Sequence, residues 1–262
     1  MGMKCKEIMD KLEELSPVSY ACSWDNVGLL LGDKEKEVKK ILVTLDVTDD
    51  VIDQAIRLGV DMILSHHPMI FKGVRKVTAD DFTGRRILKM AQHGICYYAS
   101  HTNFDVMGMA DAAADELALS NREVLQITFE DEIAKEGFGR IGELPETLSL
   151  ADAAQYVKQV FGIDRVKVFG NLDEEVKRVA ISPGSGKSMI QDAIKSNVEV
   201  LITGDIDHHD GLDAVLQGLS IIDAGHFGLE KIFVPFMEQY LRREVPEMKV
   251  YRARQNCPFE VL

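Results

Sequence analysis

The chemistry that this sequence can perform is found first in two adjacent histidines. His66 and His67 follow an apolar run, residues 62–65, and precede Pro68. The run is typical of a buried parallel strand, and the proline ends it because proline cannot donate a ladder hydrogen bond. In an open α/β sheet, ligands bind at this end of a strand. Taken alone, the pair fits a ligand site and two solvated loop histidines equally well.

Most of the other histidines share this kind of position. Six of the seven lie at or just beyond the predicted C-terminal ends of strands: His66, His67, His101, His208, His209 and His226. Acidic residues occupy the same places: Asp46, Asp105, Asp205, Asp207, Asp210 and Glu230. Imidazole and carboxylate without thiolate form a ligand set for Zn, Mn, Fe or Co. The distribution therefore indicates a functional cluster, with His93, at a predicted helix end, left structural.

His226 and Glu230 are four residues apart, where a predicted strand leads into an amphipathic helix. If that helix begins early enough, both side chains lie on one of its faces. The alternative is that Glu230 is an acid of the first turn that interacts favourably with the helix dipole.

The elements that position these residues are predicted from hydrophobic periodicity. Helices and strands alternate in the order helix 3–15, strand 41–45, helix 49–58, strand 62–65, helix 83–92 and strand 95–99. Such alternation implies βαβ units and a parallel sheet. Trp24, the only tryptophan, lies in a polar turn and is predicted to be a packing anchor.

The first half of the sequence repeats in the second half. Residues 38–41 match residues 176–179, and residues 60–65 match residues 198–203 at the same offset. The charged positions agree as well as the apolar ones. This repetition predicts an α/β fold of two related lobes with mainly parallel sheets and a metal site between them at the strand C-terminal ends.

The repeat divides the chain into three predicted regions. Residues 1–120 are predicted to form the first α/β lobe, and residues 175–262 the second. Residues 121–174 are less regular and are predicted to be a connecting region of strands and one helix. The segment 184–188 resembles a phosphate-binding Walker loop but has Ile181 where a glycine is required, so a strand-to-helix turn is expected.

Composition excludes several classes of function. The net charge of −13 disfavours binding to nucleic acid or to an anionic membrane, because no basic excess neutralises phosphates. No segment approaches the roughly 20 apolar residues of a membrane span, and no signal peptide is evident. The four cysteines form no CxxC pair, so a reducing cytoplasm is expected.

Five ordered motifs together resemble the Nif-three-like family of dinuclear-metal proteins, whose bacterial members are commonly named GTP cyclohydrolase 1 type 2 homologues. The motifs occupy residues 24–29, residues 65–68, residues 101–105, residues 203–206 with His209, and residues 225–230. They extend from the first helix to the last. The length of the chain is similar to that of the compact form, which lacks an inserted middle domain.

The resemblance implies a ligand set for two divalent ions. The ligands are His66, His67, Asp105, His226 and Glu230. Glu230 would bridge, with His67 and Asp105 on one ion and His66 and His226 on the other. The family also implies a homohexameric ring with its metal sites facing the interior. The native metal is left open among Zn, Mn, Fe and Co.

Such a site favours a small anionic or phosphorylated ligand. Two divalent ions with two carboxylates and three neutral imidazoles leave a local charge of about +2, within a chain of net charge −13. His209 and His101 are candidates for proton transfer or for orienting the ligands, with His209 preferred for proton transfer.

Two classes of function remain open. The first is a metal-dependent hydrolase of a nucleotide or another phosphorylated compound, with GTP cyclohydrolase-like ring opening as one form. The second is a metal-binding oligomeric scaffold or regulator without turnover. Nucleic-acid binding through a ring is a weaker third reading, because no basic stripe is found.

Overall fold

The computed structural model describes residues 2–260, and these residues form two compact units. The first unit contains residues 2–104 together with Phe233–Asn256. The second contains Asp105–Ile232 and residues 257–260. The chain therefore leaves the first unit after Phe104 and returns to it at Phe233. The predicted α/β class is confirmed, because each unit has its own sheet with helices.

In the described part of the chain, the first unit has a sheet of five strands. In sheet order these are Lys249–Arg252, Lys40–Thr44, Met62–Ser65, Cys96–Ala99 and Gly28–Leu31. Neighbouring strands are parallel except at the Gly28–Leu31 edge, which is antiparallel. Met62–Ser65 and Cys96–Ala99 are buried throughout, as expected of central strands covered on both faces.

Helices connect the parallel strands of the first sheet. The longer helices of this unit are Cys5–Leu15, Asp49–Leu58, Phe82–Gln92 and Phe233–Glu244, and the shorter ones are Val18–Tyr20 and Thr102–Phe104. Thr48 caps the second helix, because its hydroxyl accepts a hydrogen bond from the Val51 N–H at 3.2 Å. Gly59 ends the same helix at φ +61°, in the left-handed region that glycine adopts without strain.

Most predicted boundaries in this unit are within one residue of the structure. The helix 49–58 is confirmed without change. The first helix begins at Cys5 rather than at residue 3, because Met3–Lys4 pairs as a short strand with Glu37–Val38. Tertiary pairing thus overrides the helical periodicity of the first residues.

The second unit has a mixed sheet, with six strands in the described residues. In sheet order they are Ser120–Glu130, Lys135–Ser149, Glu175–Ser185, Val200–Gly204, Ser220–Asp223 and Lys167–Phe169. Only the three strands between Glu175 and Asp223 are mutually parallel. The other neighbouring pairs are antiparallel. For the hairpin 120–149 this follows from its short turn, because short turns join only antiparallel strands. The prediction of a mainly parallel sheet therefore holds for the first unit and not for the second.

Helices cover both faces of the second sheet. They are Asp105–Met109, Ala110–Glu116, Leu150–Phe161, Lys187–Met189, Ile190–Lys195, His208–Leu216 and His226–Glu230. Separate apolar clusters on the two faces contain Val179 and Ile202 on one side and Ala180 and Leu201 on the other. Between residues 2 and 260, no helix has the length and apolar character that crossing a membrane requires.

We predict that Leu42→Ala lowers the free energy of unfolding of the first unit by about 3 kcal/mol, because it leaves a cavity in the sheet core. Leu42 is completely buried on the strand Lys40–Thr44. The matched control is Leu58→Ala in the same unit, where the side chain is 37% exposed and the expected loss is below about 1 kcal/mol. Urea denaturation followed by circular dichroism measures both. Equal losses would contradict this account of the core.

Candidate metal centre

The turn that carries the two adjacent histidines is fixed by hydroxyl groups. The Ser65 hydroxyl donates to the His67 carbonyl at 2.8 Å, and the Tyr97 hydroxyl donates to the same carbonyl at 3.1 Å. The Met69 N–H donates to the Tyr97 oxygen at 2.7 Å. Burial raises the pKa of Tyr97 to about 12, so the phenol stays protonated at neutral pH. The end of the strand is therefore held in one conformation.

Each of these histidines is oriented through Nδ1. The His66 Nδ1–H donates to the Ser100 carbonyl at 2.8 Å, and the His67 Nδ1–H donates to Asp46 Oδ1 at 2.8 Å. A carbonyl or carboxylate partner requires the proton to be on Nδ1 in the neutral ring. Nε2 of both rings is then the nitrogen with a lone pair, as in the carboxylate–histidine arrangements of metal proteins.

His101 is held in the same way by Asp25. Its Nδ1–H lies 3.0 Å from both carboxylate oxygens of Asp25, and the Thr102 N–H and hydroxyl also donate to Asp25. Burial acts to raise the pKa of Asp25, but the hydrogen bonds from His101 and Thr102 outweigh it and hold the pKa at about 2. Asp25 was not identified as functional from the sequence. The sequence feature that could have indicated a functional role for Asp25 is its position in the motif 24–29.

The three imidazoles of the first unit converge. One ring nitrogen from each of His66, His67 and His101 lies within 4.8 Å of the others, and the ring centroids are 4.9 to 5.6 Å apart. Three neutral nitrogen donors at this separation can hold a transition-metal ion. The group thus fits the metal that the histidine distribution predicted.

The second unit presents a histidine and a buried carboxylate. The helix His226–Glu230 begins at the histidine itself, and His226 Nε2 lies 2.9 Å from Glu230 Oε2. The prediction that both side chains lie on one helix face is confirmed. His226 Nδ1 donates to Asp205 Oδ2 at 2.8 Å, so an acid orients this ring also. Glu230 is only 3% exposed.

The charges around His226 favour its ionised form. Burial acts to lower the pKa of His226, but the hydrogen bond and the charge of Glu230, with a smaller contribution from Asp205, raise it to about 9. Asp205 follows the strand Val200–Gly204 and has φ +58°, a conformation that is uncommon for residues other than glycine. This local strain points to a functional constraint at that residue.

The loop at residues 184–188 forms a wall for Glu230. A Cβ atom on Gly184 would lie 2.4 Å from Glu230 Oε1, so only glycine permits the carboxylate to stay in place. The predicted strand-to-helix turn is confirmed, because the strand Glu175–Ser185 leads into Lys187–Met189. Lys187 Nζ pairs with Asp210 at 2.7 Å.

The remaining predicted site residues lie in the second unit. Asp105 is half-buried at the start of the helix Asp105–Met109. His209 is exposed in the first turn of the helix His208–Leu216, with its ring edge-on to His208 at 5.2 Å. Among residues 2–260, the groups of side chains with the spacing for a metal ion do not include His209.

The prediction that Trp24 is a packing anchor is wrong. Its side chain is 60% exposed, whereas Asp25 and Asn26 make the polar contacts that attach this segment. The segment is anchored by the carboxylate and the amide, and the indole ring is left at the surface.

Comparison with known proteins identifies the family. The model of the Duf34/NIF3 family (NGG1p interacting factor 3) matches residues 3–258. The chain belongs to this family. The predicted membership is thereby confirmed over nearly the whole sequence. A NIF3-family relative from Clostridium perfringens, named GTP cyclohydrolase 1 type 2 homolog, is 35% identical over 264 residues, which are 99% of this chain and 100% of the relative.

Two solved structures share the fold. A Bacillus cereus protein related to NIF3 superposes with a TM-score of 0.94 at 25% identity, covering 100% of this chain and 99% of that one. A hypothetical protein of Staphylococcus aureus gives 0.90 at 31% identity, with 100% of both chains covered. The two-unit α/β architecture is therefore that of the NIF3 family.

We predict that Gly184→Ala lowers the affinity for zinc roughly tenfold to a hundredfold, because the new methyl group displaces Glu230. The matched control is Gly218→Ala. Gly218 has φ +84° against +80° for Gly184, so backbone strain is similar, but nothing lies within 4 Å of its added Cβ. Zinc affinity is measured by competition with a chelator. If the two variants lose affinity equally, the effect comes from backbone strain and not from contact with Glu230.

Proposed function

We propose that this NIF3-family chain is a dinuclear metal-dependent hydrolase of a nucleotide or another phosphorylated compound. The observation that carries the proposal is that a ring nitrogen of His101, the proposed proton acceptor, lies within 4.8 Å of ring nitrogens of His66 and His67, two of the proposed metal ligands. Each ring is locked by a partner at Nδ1, so the donor atoms are oriented before a metal arrives.

In the proposed site, Glu230 would be a ligand to both of two divalent ions. The proposed ligands are His66, His67, Asp105, His226 and Glu230, as the resemblance implies. Each unit by itself offers donors of this kind. The first unit presents the ring nitrogens of His66 and His67. The second presents His226 beside the buried carboxylate of Glu230.

The residues of this chain have separate tasks in the proposed reaction. Divalent ions bound here would supply Lewis acidity and positive charge. His101 accepts a proton at Nε2, and Asp25 stabilises the imidazolium that forms, because its pKa of about 2 keeps it ionised. His209 is proposed as a second proton carrier, since its exposed ring can exchange protons with solvent.

The proposed ligand is a small anion. The local charge of about +2 would attract a phosphorylated compound in spite of the net charge of −13. The relatives are named as homologues of GTP cyclohydrolase 1 type 2, so GTP is the first compound to test. We also propose a homohexamer with Zn, Mn, Fe or Co as the metal, in the cytoplasm.

We predict that Glu230→Gln removes both ions with the fold retained, because a bridging carboxylate serves two metals at once. Elemental analysis should find about two ions per wild-type chain and far fewer in the variant. The control is Glu238→Gln, at another largely buried glutamate, which binds Arg242 and Arg252 and should leave the metal content unchanged. Two ions per chain in Glu230→Gln would refute the bridging role.

We predict that His101→Gln lowers kcat for hydrolysis by about a hundredfold or more while metal content and oligomer mass stay unchanged, because the proton acceptor is lost. His209→Gln is measured beside it and should also lower kcat. Release of product from GTP and other phosphorylated compounds, elemental analysis and light scattering give the three readouts. If neither variant changes any turnover that the wild type shows, the hydrolase is not supported and the scaffold without turnover is favoured.

A further inference from the structure

Two exposed aromatic side chains lie beside the three histidines of the first unit. Trp24 is 60% exposed and Phe71 is 45% exposed. Their ring centroids are 5.9 Å apart with the planes tilted by 55°, and the Trp24 ring meets the His101 ring edge-on at 6.3 Å. Because His101 belongs to the histidine group, the aromatic pair forms a wall next to that group.

Polar contacts fix the chain immediately beside both rings. Asp25, next to Trp24, has a completely buried carboxylate that accepts hydrogen bonds from His101 and Thr102. The side-chain amide of Asn26 donates to the carbonyl of Ile70, the residue before Phe71. Because this part of the chain is ordered before a ligand arrives, binding a ligand against the two rings costs little conformational entropy of the chain. The pair is thus exposed apolar surface that is already organised for binding.

We propose that Trp24 and Phe71 form a subsite for the planar aromatic ring of an anionic ligand, which makes a nucleotide-like compound the substrate class of this site. The proposal rests on the proposed function for the anionic end of the ligand. Aromatic rings pack favourably on one another at separations of about 4.5 to 7 Å. Stacking of this kind needs no base-specific hydrogen bonds.

Positive charge follows the aromatic pair directly. Lys72, Arg75 and Lys76 come within five residues after Phe71, and all three are exposed. No acidic residue lies between Phe71 and Val77 to offset this charge. It favours a ligand that carries phosphate beside its ring, because exposed cations attract anions to a site and raise their local concentration.

The same surface is a poor core for a protein interface. Val74 and Val77 are also exposed, but Arg75 and Lys76 lie between them in the sequence. Charged residues are depleted at the core of protein interfaces. The aromatic ring of a small ligand could pack on Trp24 and Phe71 without burying these charged side chains. We therefore favour a small ligand over a second copy of the chain as the partner of this surface.

The fluorescence of Trp24 tests the subsite directly, because it is the only tryptophan. The zinc-supplemented protein is titrated with adenosine 5′-monophosphate, which has ring and phosphate, and with ribose 5-phosphate, which has only the phosphate. We expect saturable quenching by the nucleotide and an affinity for it about tenfold or more above that for the sugar phosphate. Isothermal titration calorimetry measures both affinities independently.

Two variants distinguish the contribution of the ligand's aromatic ring to binding from that of its phosphate. Phe71→Leu should weaken nucleotide binding by roughly tenfold and leave ribose 5-phosphate binding unchanged. Phe82→Leu is the matched control, at a phenylalanine that is 58% exposed in the same unit, and should change neither. Equal affinities for the two compounds, or no saturable quenching by the nucleotide, would overturn the subsite. A lower oligomer mass in Phe71→Leu with nucleotide affinity intact would overturn it in favour of contact between copies.

The two proposals fail in different ways. A protein that binds the nucleotide through Phe71 but hydrolyses no phosphorylated compound would refute the hydrolase and support the subsite. A protein that hydrolyses phosphorylated compounds but binds both titrants equally would refute the subsite alone.

Discussion

The ring orientation of four histidines in this chain depends on the hydrogen bond that each ring makes through Nδ1. The partners are a carboxylate for His67, His101 and His226 and a main-chain carbonyl for His66. In the neutral ring, the acceptor fixes the proton on Nδ1 and leaves Nε2 with the lone pair that can bind a metal. Ring orientation and tautomer are therefore decided within the protein. Three of these acceptors, on Asp46, Ser100 and Asp205, follow parallel strands, which bring their C-terminal ends to one edge of each sheet. Asp25 instead precedes the antiparallel edge strand Gly28–Leu31.

Two glycines allow the backbone of the second unit to pack closely against Glu230 and His226. Glu230 is nearly buried and lies against the backbone of Gly184, and a Cβ atom on Gly204 would come within 2.5 Å of the His226 N–H nitrogen. The backbone can approach the Glu230 carboxylate and the main chain of His226 this closely only where no Cβ intervenes. A segment that resembles a phosphate-binding loop is thus explained by close packing, and its lysine is engaged with Asp210.

Much of the fold could be predicted from the sequence, and the reasons for the rest are physical. Periodicity predicted the helix 49–58 and the strand before His66, because each has a strong local pattern. The mixed character of the second sheet could not be predicted, since the hairpin 120–149 has weak alternation. The convergence of His66, His67 and His101 was expected from strand ends, whereas their pairing with Asp25 and Asp46 requires contacts between distant segments. Trp24 was misjudged because a lone tryptophan is most often a packing residue, and only the contacts of Asp25 and Asn26 reveal that the ring is left outside.

The return of the chain to the first unit has a consequence for biosynthesis. The strand Lys249–Arg252 pairs with Lys40–Thr44, two segments separated by the whole of Asp105–Ile232. A ribosome therefore releases every residue of that intervening stretch before the first sheet can acquire its outer strand. Phe233, which packs on the His66 ring, emerges equally late. The nascent chain can thus fold most of its second unit before Phe233 is available to pack on His66. The packing around His66 is therefore completed near the end of translation.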